Sequence, residues 1–264
     1  VQSRIKLSLS LERTTMAIII KSKAERESMR LAGHIVAEVL AEMRAAVRPG
    51  ITTADLDAIA AATLNRKGAK ASFLGYRGYP ASICASVNDE IVHGIPGERE
   101  LKEGDIVNLD FGAIYQGWHG DSAITVPVGR VSAETERLLK VTEDALYRGI
   151  AAARAGNCLR DISRAIQQFV EGAGFSIVRQ YGGHGIGRSM HEDPQILNYV
   201  EPGYPNPVLR PGMVIAIEPM VNLGARETRV LADQWTVATA DGSYSAHFEH
   251  TVAITEGDAD ILTL

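Results

Sequence analysis

Apolar side chains recur at helical spacing through residues 23–48, at Met29, Ala32, Val36, Val39, Leu40 and Met43, and Pro49-Gly50 closes the run. Thr52 or Thr53 can cap a second helix, with Leu56, Ile59, Ala60 and Leu64 on one face and Gly68 as its stop. The arrangement begins again at Ser132. One helix carries Leu138, Val141, Leu146 and Ile150 towards Gly156, and the next carries Leu159, Ile162, Ile166, Phe169 and Val170 towards Gly172 or Gly174. An offset of 106 lays Arg48 on Arg154, Gly50 on Gly156, Asp55 on Asp161, Leu56 on Ile162, Leu64 on Val170 and Gly68 on Gly174. Further along the offset becomes 108, and LKEGDIVNLD (101–110) lies over LRPGMVIAIE (209–218). Two similar halves, about 23–125 and 132–255, each of helices followed by strands, predict an α+β domain with pseudo-two-fold symmetry.

GDIVNLDFGAI (104–114) and GMVIAIEPMV (212–221) read as strands rich in β-branched residues, and each carries one acid, Asp110 or Glu218, at matching places. A half-buried carboxylate is costly without a compensating cation, and symmetry should bring these two together. Asp121 in GWHGDSA precedes a further apolar run. In SAHFEHTVAIT, alternation puts His247, Glu249 and Thr251 on one face. His184 lies in GGHGIG, where glycines allow close backbone approach. Taken singly, each of these acids also fits a turn or a cap. Together, Asp110, Asp121, Glu218, Glu249 and His184 offer four carboxylates and one imidazole, whose charge two divalent ions would balance. Oxygen-rich ligation with one histidine suits Mn, Fe, Co or Zn in a two-metal site. Such ions, roughly 4 Å apart, hold a water, lower its pKa and polarise a carbonyl.

Composition narrows the class without choosing it. Hydrophobic residues are 45% and charged ones 22% of 264, which is ordinary for a globular chain. A net charge of −5 disfavours non-specific nucleic-acid binding, no apolar run approaches the roughly 20 residues of a membrane helix, and two cysteines imply no disulfide scaffold. A cytoplasmic protein is expected. Residues 1–15 read as a tag remnant or an extension, and Met16 as the natural start of a single catalytic domain, 16–264.

GYRGYP (75–80), SVNDEIVHGIP (86–96), VNLDFGA (107–113), HGDSA (119–123), GGHGIGRSMHEDPQI (182–196), IEPMVN (217–222) and HFEHTVAIT (247–255) together resemble the type I methionine aminopeptidases from about residue 17 onward. The resemblance implies the pita-bread fold and hydrolytic removal of the initiator methionine from nascent chains when the second residue is small. By motif, Asp110 chelates one metal, His184 and Glu218 the other, and Asp121 and Glu249 bridge both, with Co, Mn, Fe, Ni or Zn as the activating ion. His93 and His191 match the family's two non-ligand histidines. His191 is assigned to the scissile carbonyl, His93 to the amide side, and Glu218 also to proton transfer. Tyr76, Tyr79, Cys84 and Trp235 line the methionine pocket, with Phe73 and Met190. At the last two positions the sequence departs from many bacterial members, which carry Cys and Phe there. The resemblance further implies a monomer acting on nascent N-termini in transient contact with the ribosome. No zinc module is expected in 1–15, which has neither Cys nor His.

Two rivals remain open at this level. Proline-cleaving peptidases share the fold and the five ligands, but usually carry a large N-terminal domain, for which about 20 residues before the first helix leave no room. A non-catalytic binding module on the same fold would tend to lose ligands, and all five are present here.

Overall fold

In the computed structural model, which describes residues 17–264, side-chain caps open three of the four helices. The extension 1–15 and Met16, expected above to be added sequence and the chain start, lie outside the described residues. Ser22 caps α1 (Lys23–Ala46), accepting from the Glu25 amide at 3.3 Å while Glu25 accepts from the Ser22 amide. Thr52, rather than Thr53, caps α2 (Thr53–Lys67) in the same reciprocal way with Asp55. Ser132 caps α3 (Ala133–Ala152). At α4 (Leu159–Gly172) Asp161 accepts from the Cys158 amide at 2.8 Å, so Asp55 and Asp161 hold equivalent positions. Gly68 and Gly174, with φ of 64° and 84°, turn the chain out of α2 and α4.

Nine strands form the main sheet: β1 (Lys70–Ala71), β2 (Cys84–Val87), β3 (Ile106–Tyr115), β4 (Trp118–Pro127), β5 (Gly183–Gly185), β6 (Glu192–Ile196), β7 (Val214–Ile217), β8 (Glu249–Ala253) and β9 (Asp260–Ile261). Their order is β1-β3-β4-β8-β7-β5-β6, with β2 on β3 and β9 on β8, and the pairings are antiparallel. Helices cover one face. α1 and α2 pack on Val107, Leu109, Phe111 and Ala113, while α3 and α4 pack on Ile215, Ile217 and Val252. Burying one such side chain stabilises by roughly 1.5–3 kcal/mol, against about 1 kcal/mol for a cap, so packing anchors the helices and caps fix their starts.

The repeat appears in the hydrogen bonds. Gly50 N–H donates to Leu101 O and Leu101 N–H to Ile51 O. Gly156 N–H donates to Leu209 O and Leu209 N–H to Asn157 O. These are the same bonds at offsets of 106 and 108. Each half therefore seats its helix pair on its sheet with one ladder, giving the pseudo-symmetric α+β fold expected from the sequence.

Two runs read as continuous strands are broken. Residues 212–221 leave the main sheet after Ile217, and Met220–Asn222 joins a small sheet with Ser176–Ile177 and Ser245–His247. SAHFEHTVAIT breaks at Phe248. Pro219 has no amide hydrogen to continue the ladder, and its carbonyl accepts from Phe248 N–H at 3.4 Å, so both chains bend at one place. No helix among the described residues is long and apolar enough to cross a membrane.

Candidate metal centre

Strand register alone gathers the acids. Cys84, Asp110, Ala123 and Glu249 form one row across β2, β3, β4 and β8, and Thr251, Ala216 and His184 form another across β8, β7 and β5. Paired residues share a face, and so do residues two apart on one strand. Asp121 therefore stands beside Ala123 on the face of Asp110 and Glu249, and Glu218 follows Ala216 on the face of His184. All five point away from the helices. One ligand atom each of Asp121, His184 and Glu249 lie within 4.8 Å of one another. His184 Nε2 is 3.9 Å from Asp121 Oδ2 and 3.8 Å from Glu218 Oε1. The glycines around His184 are required there. A Cβ on Gly183 would stand 2.2 Å from Ala216 O, and one on Gly185 2.2 Å from Asp193 O.

Burial pushes the Asp110 carboxyl up to about 7. Asp121, Glu218 and Glu249 are held well above the carboxylate range, first by burial and then by one another and Asp110. No Lys or Arg pairs with any of the four among the described residues. Asp110 Oδ1, Asp121 Oδ1 and Glu249 Oε1 are buried without a hydrogen-bond partner. His184 Nδ1 faces the Gly185 carbonyl at 2.9 Å, which can only accept, so Nδ1 carries the proton and the Nε2 lone pair looks at the acids. Burial keeps this ring neutral, with its pKa near 4. Orphaned hard oxygens and a preset imidazole lone pair fit divalent cations.

His191 borders the cluster, and His93 lies near His191 and His247. The His191 ring lies 4.3 Å from that of His184 and stacks on Tyr76, whose hydroxyl meets Nδ1 at 2.9 Å. Its pKa falls to about 3, by burial first and then by the neighbouring His184. His93, at φ 61°, stands edge-on to Tyr181 and is lowered to about 4 by burial. Phe73, Tyr79, Cys84 and Met190 are buried in one cluster with Ala81, and Tyr76 and Trp235 pack against it. Tyr79 is fixed at its hydroxyl by the Ile83 and Gly94 carbonyls, and edge-on to Phe73 and Trp235. The Cys84–Asp110 register pair joins this cluster to the acids.

Three polar residues at the site were given no role by the sequence, although alternation put Thr251 and His247 beside Glu249. Thr251 Oγ1 accepts from Asp121 N–H at 3.1 Å and donates to Asp121 O at 2.8 Å, clamping that strand. Asn108 Nδ2 contacts His247 Nδ1 at 3.0 Å, and His247 Nε2 stands 3.6 Å from Glu218 Oε2. Alternation had placed His247 with Glu249; the bend at Phe248, which aims it at Glu218, left no signal.

The sequence pattern of metallopeptidase family M24 matches residues 27–256. Methionine aminopeptidase 1 of Bacillus subtilis (strain 168) is 54% identical over 248 residues, spanning 93% of this chain and 99% of its own. The crystal structure of methionine aminopeptidase from Rickettsia prowazekii superposes with a TM-score of 0.91 at 42% identity, covering 94% of this chain and 100% of that one. An Xaa-Pro dipeptidase from Bacillus anthracis shares the fold alone, with a TM-score of 0.74 at 22% identity over 93% of this chain and 62% of its own. The chain belongs to metallopeptidase family M24 and, within it, to the type I methionine aminopeptidases.

Proposed function

We propose that the chain removes N-terminal methionine from nascent polypeptides by metal-dependent hydrolysis when the second residue is small. The carrying observation is the set of buried carboxylate oxygens without partners on the face towards which His184 turns its lone pair. Asp110 would hold one ion and His184 with Glu218 the other, while Asp121 and Glu249 would hold both. Divalent Mn, Fe, Co, Ni or Zn bound there supplies Lewis-acid activation of the scissile carbonyl and of water.

The chain's own groups do the rest. The cluster of Phe73, Tyr79, Cys84 and Met190, with Tyr76 and Trp235, receives a flexible, apolar thioether. The Tyr76 hydroxyl can donate to His191 Nδ1, which leaves the His191 proton on Nε2 to meet the carbonyl oxygen as negative charge grows there. His93 serves the amide side, and Glu218 carries the proton that the departing amine requires. The free amine of the first residue anchors the substrate, so an internal peptide bond is not cut. We further place the protein in the cytoplasm, as a monomeric catalytic domain in transient contact with the ribosome. The support for the compartment and the ribosome contact is the substrate itself, since the initiator methionine first emerges on chains still being made.

Hydrolysis of Met-Ala-Ser tests the reading. Cleavage should stop with a chelator and return with added Mn or Co. A metal-supplied protein inactive on this tripeptide, or active only on X-Pro peptides, would overturn it.

A further inference from the structure

His247 sits where the fold repeats a ligand. The pair Leu109–Ile124 on β3 and β4 corresponds to Ile217–His250 on β7 and β8, at offsets of 108 and 126. The same offsets carry Asp110 onto Glu218 and Asp121 onto His247. The second half thus places an imidazole where the first half places an acid of the cluster. This residue is 1% exposed, and its backbone is held on both sides by Thr125.

Its tautomer follows from its neighbours. Asn108 Nδ2 donates to the Ile91 carbonyl at 3.1 Å, which fixes the amide so that its NH2 also faces His247 Nδ1 at 3.0 Å. Nδ1 must then accept, and the ring proton sits on Nε2. That N–H is buried without a partner, and it faces Glu218 Oε2 at 3.6 Å, roughly 0.7 Å beyond a usual hydrogen bond. A proton on Nε2 leaves no lone pair there for a metal.

We infer that His247 is a positioning residue: held by Asn108, it aims its Nε2–H at Glu218 Oε2, 3.6 Å away, to donate to that carboxylate once the metal is bound and so orient it, leaving Oε1 on the side of His184. The inference rests on Glu218 as a metal ligand. It assigns a fixed orientation to the one ligand that stands at the bend, beyond the end of β7 and outside any strand ladder.

Metal binding to chelator-stripped protein tests it, read by calorimetry with Mn and by the visible spectrum of the Co-loaded form. His247→Ala should weaken Mn binding by roughly 10–100-fold and alter the Co bands. His247→Gln, whose amide can donate from the place of Nε2, should restore the Co bands and bring affinity to within about threefold of the parent. Asn108→Leu leaves His247 in place and frees its ring. It should weaken binding by several-fold, and it reads the same link should the alanine variant not fold. Parental affinity in both His247→Ala and Asn108→Leu would overturn the inference. So would a loss in His247→Gln equal to that in His247→Ala, which would make the imidazole itself a ligand. A parent that binds no divalent ion would overturn the ligand assignment and this inference with it.

Discussion

Asp121 occupies the centre of the cluster, within reach of His184 and bound through its backbone to Thr251. Asp121→Ala should abolish nearly all peptidase activity while leaving the circular dichroism spectrum unchanged, because the strand is held through the Asp121 backbone, by Thr251, and not through the carboxyl. His191→Ala should behave differently. Metal content should stay at the parental level while kcat falls by roughly 10²–10³-fold, the cost of one donor to a developing oxyanion. Metal loss in that variant would show that His191 is part of the ligand set. At this scale the sequence was informative where a residue broke the pattern around it, as with an acid in an apolar strand or a histidine between glycines. The aromatic residues of the pocket broke no pattern. Tyr76, Tyr79 and Trp235 fit any packed loop, and only their resemblance to a family's motifs singled them out.

Element by element, the four helices were legible because each spans several turns of apolar repeat, and three of them begin at a capping side chain. Strands of three residues, such as Glu90–Val92 and Thr228–Val230, are too short for any period to show. The bend at Pro219 had a cue in the proline itself, which cannot continue a ladder, whereas the bend at Phe248 was hidden because it follows from pairing with a segment far away in sequence. Together they decide where Glu218 and His247 point. Glycine substitutions separate these cases. Gly172 ends α4 with open space around it, so Gly172→Ala should be neutral or stabilising by up to about 1 kcal/mol in urea unfolding. A methyl on Gly183 meets the Ala216 carbonyl and must push β5 away from β7. Gly183→Ala should cost about 1–3 kcal/mol or more and weaken metal binding together with it. A Gly183→Ala protein of full stability and affinity would show that β5 does not set the place of His184.

For the whole molecule, the cluster dictates how stability responds to pH. Above about pH 7 histidines are mostly neutral, folded or unfolded, while burial still favours the protonated form of Asp110, pushed up to about 7, and of Asp121, Glu218 and Glu249 over what the unfolded chain holds. The folded state then holds more protons, so stability of the metal-free protein falls as pH rises towards about 8. Below about pH 6.5 the acids still favour folding at lower pH. Five histidines with folded values near 3 to 4 favour the opposite, because the unfolded chain takes up their protons. The two trends offset, and Tm should level between about pH 5 and 6.5. Saturating divalent metal ionises the acids in the fold, so the alkaline fall should vanish in a thermal scan and an acid-side fall should replace it. At pH 7.5, metal at about 100 times its Kd should raise Tm by roughly 5–10 °C. An unchanged profile on metal addition would show that the four acids are not its ligands. The doubling itself was readable from residue numbers alone, because glycine and leucine positions repeat wherever the two ladders repeat. What the numbers could not convey is how the halves differ.

That difference has a consequence for direction. A peptide runs one way, from amine to carboxylate, and a cradle with a true dyad would accept it equally in either sense. Here the ladders match, yet the apolar cluster that the Cys84–Asp110 pair joins to the acids mixes the halves unequally: Phe73, Tyr79 and Cys84 come from one, Met190 and Trp235 from the other. Broken symmetry is thus what tells the head of a chain from its tail.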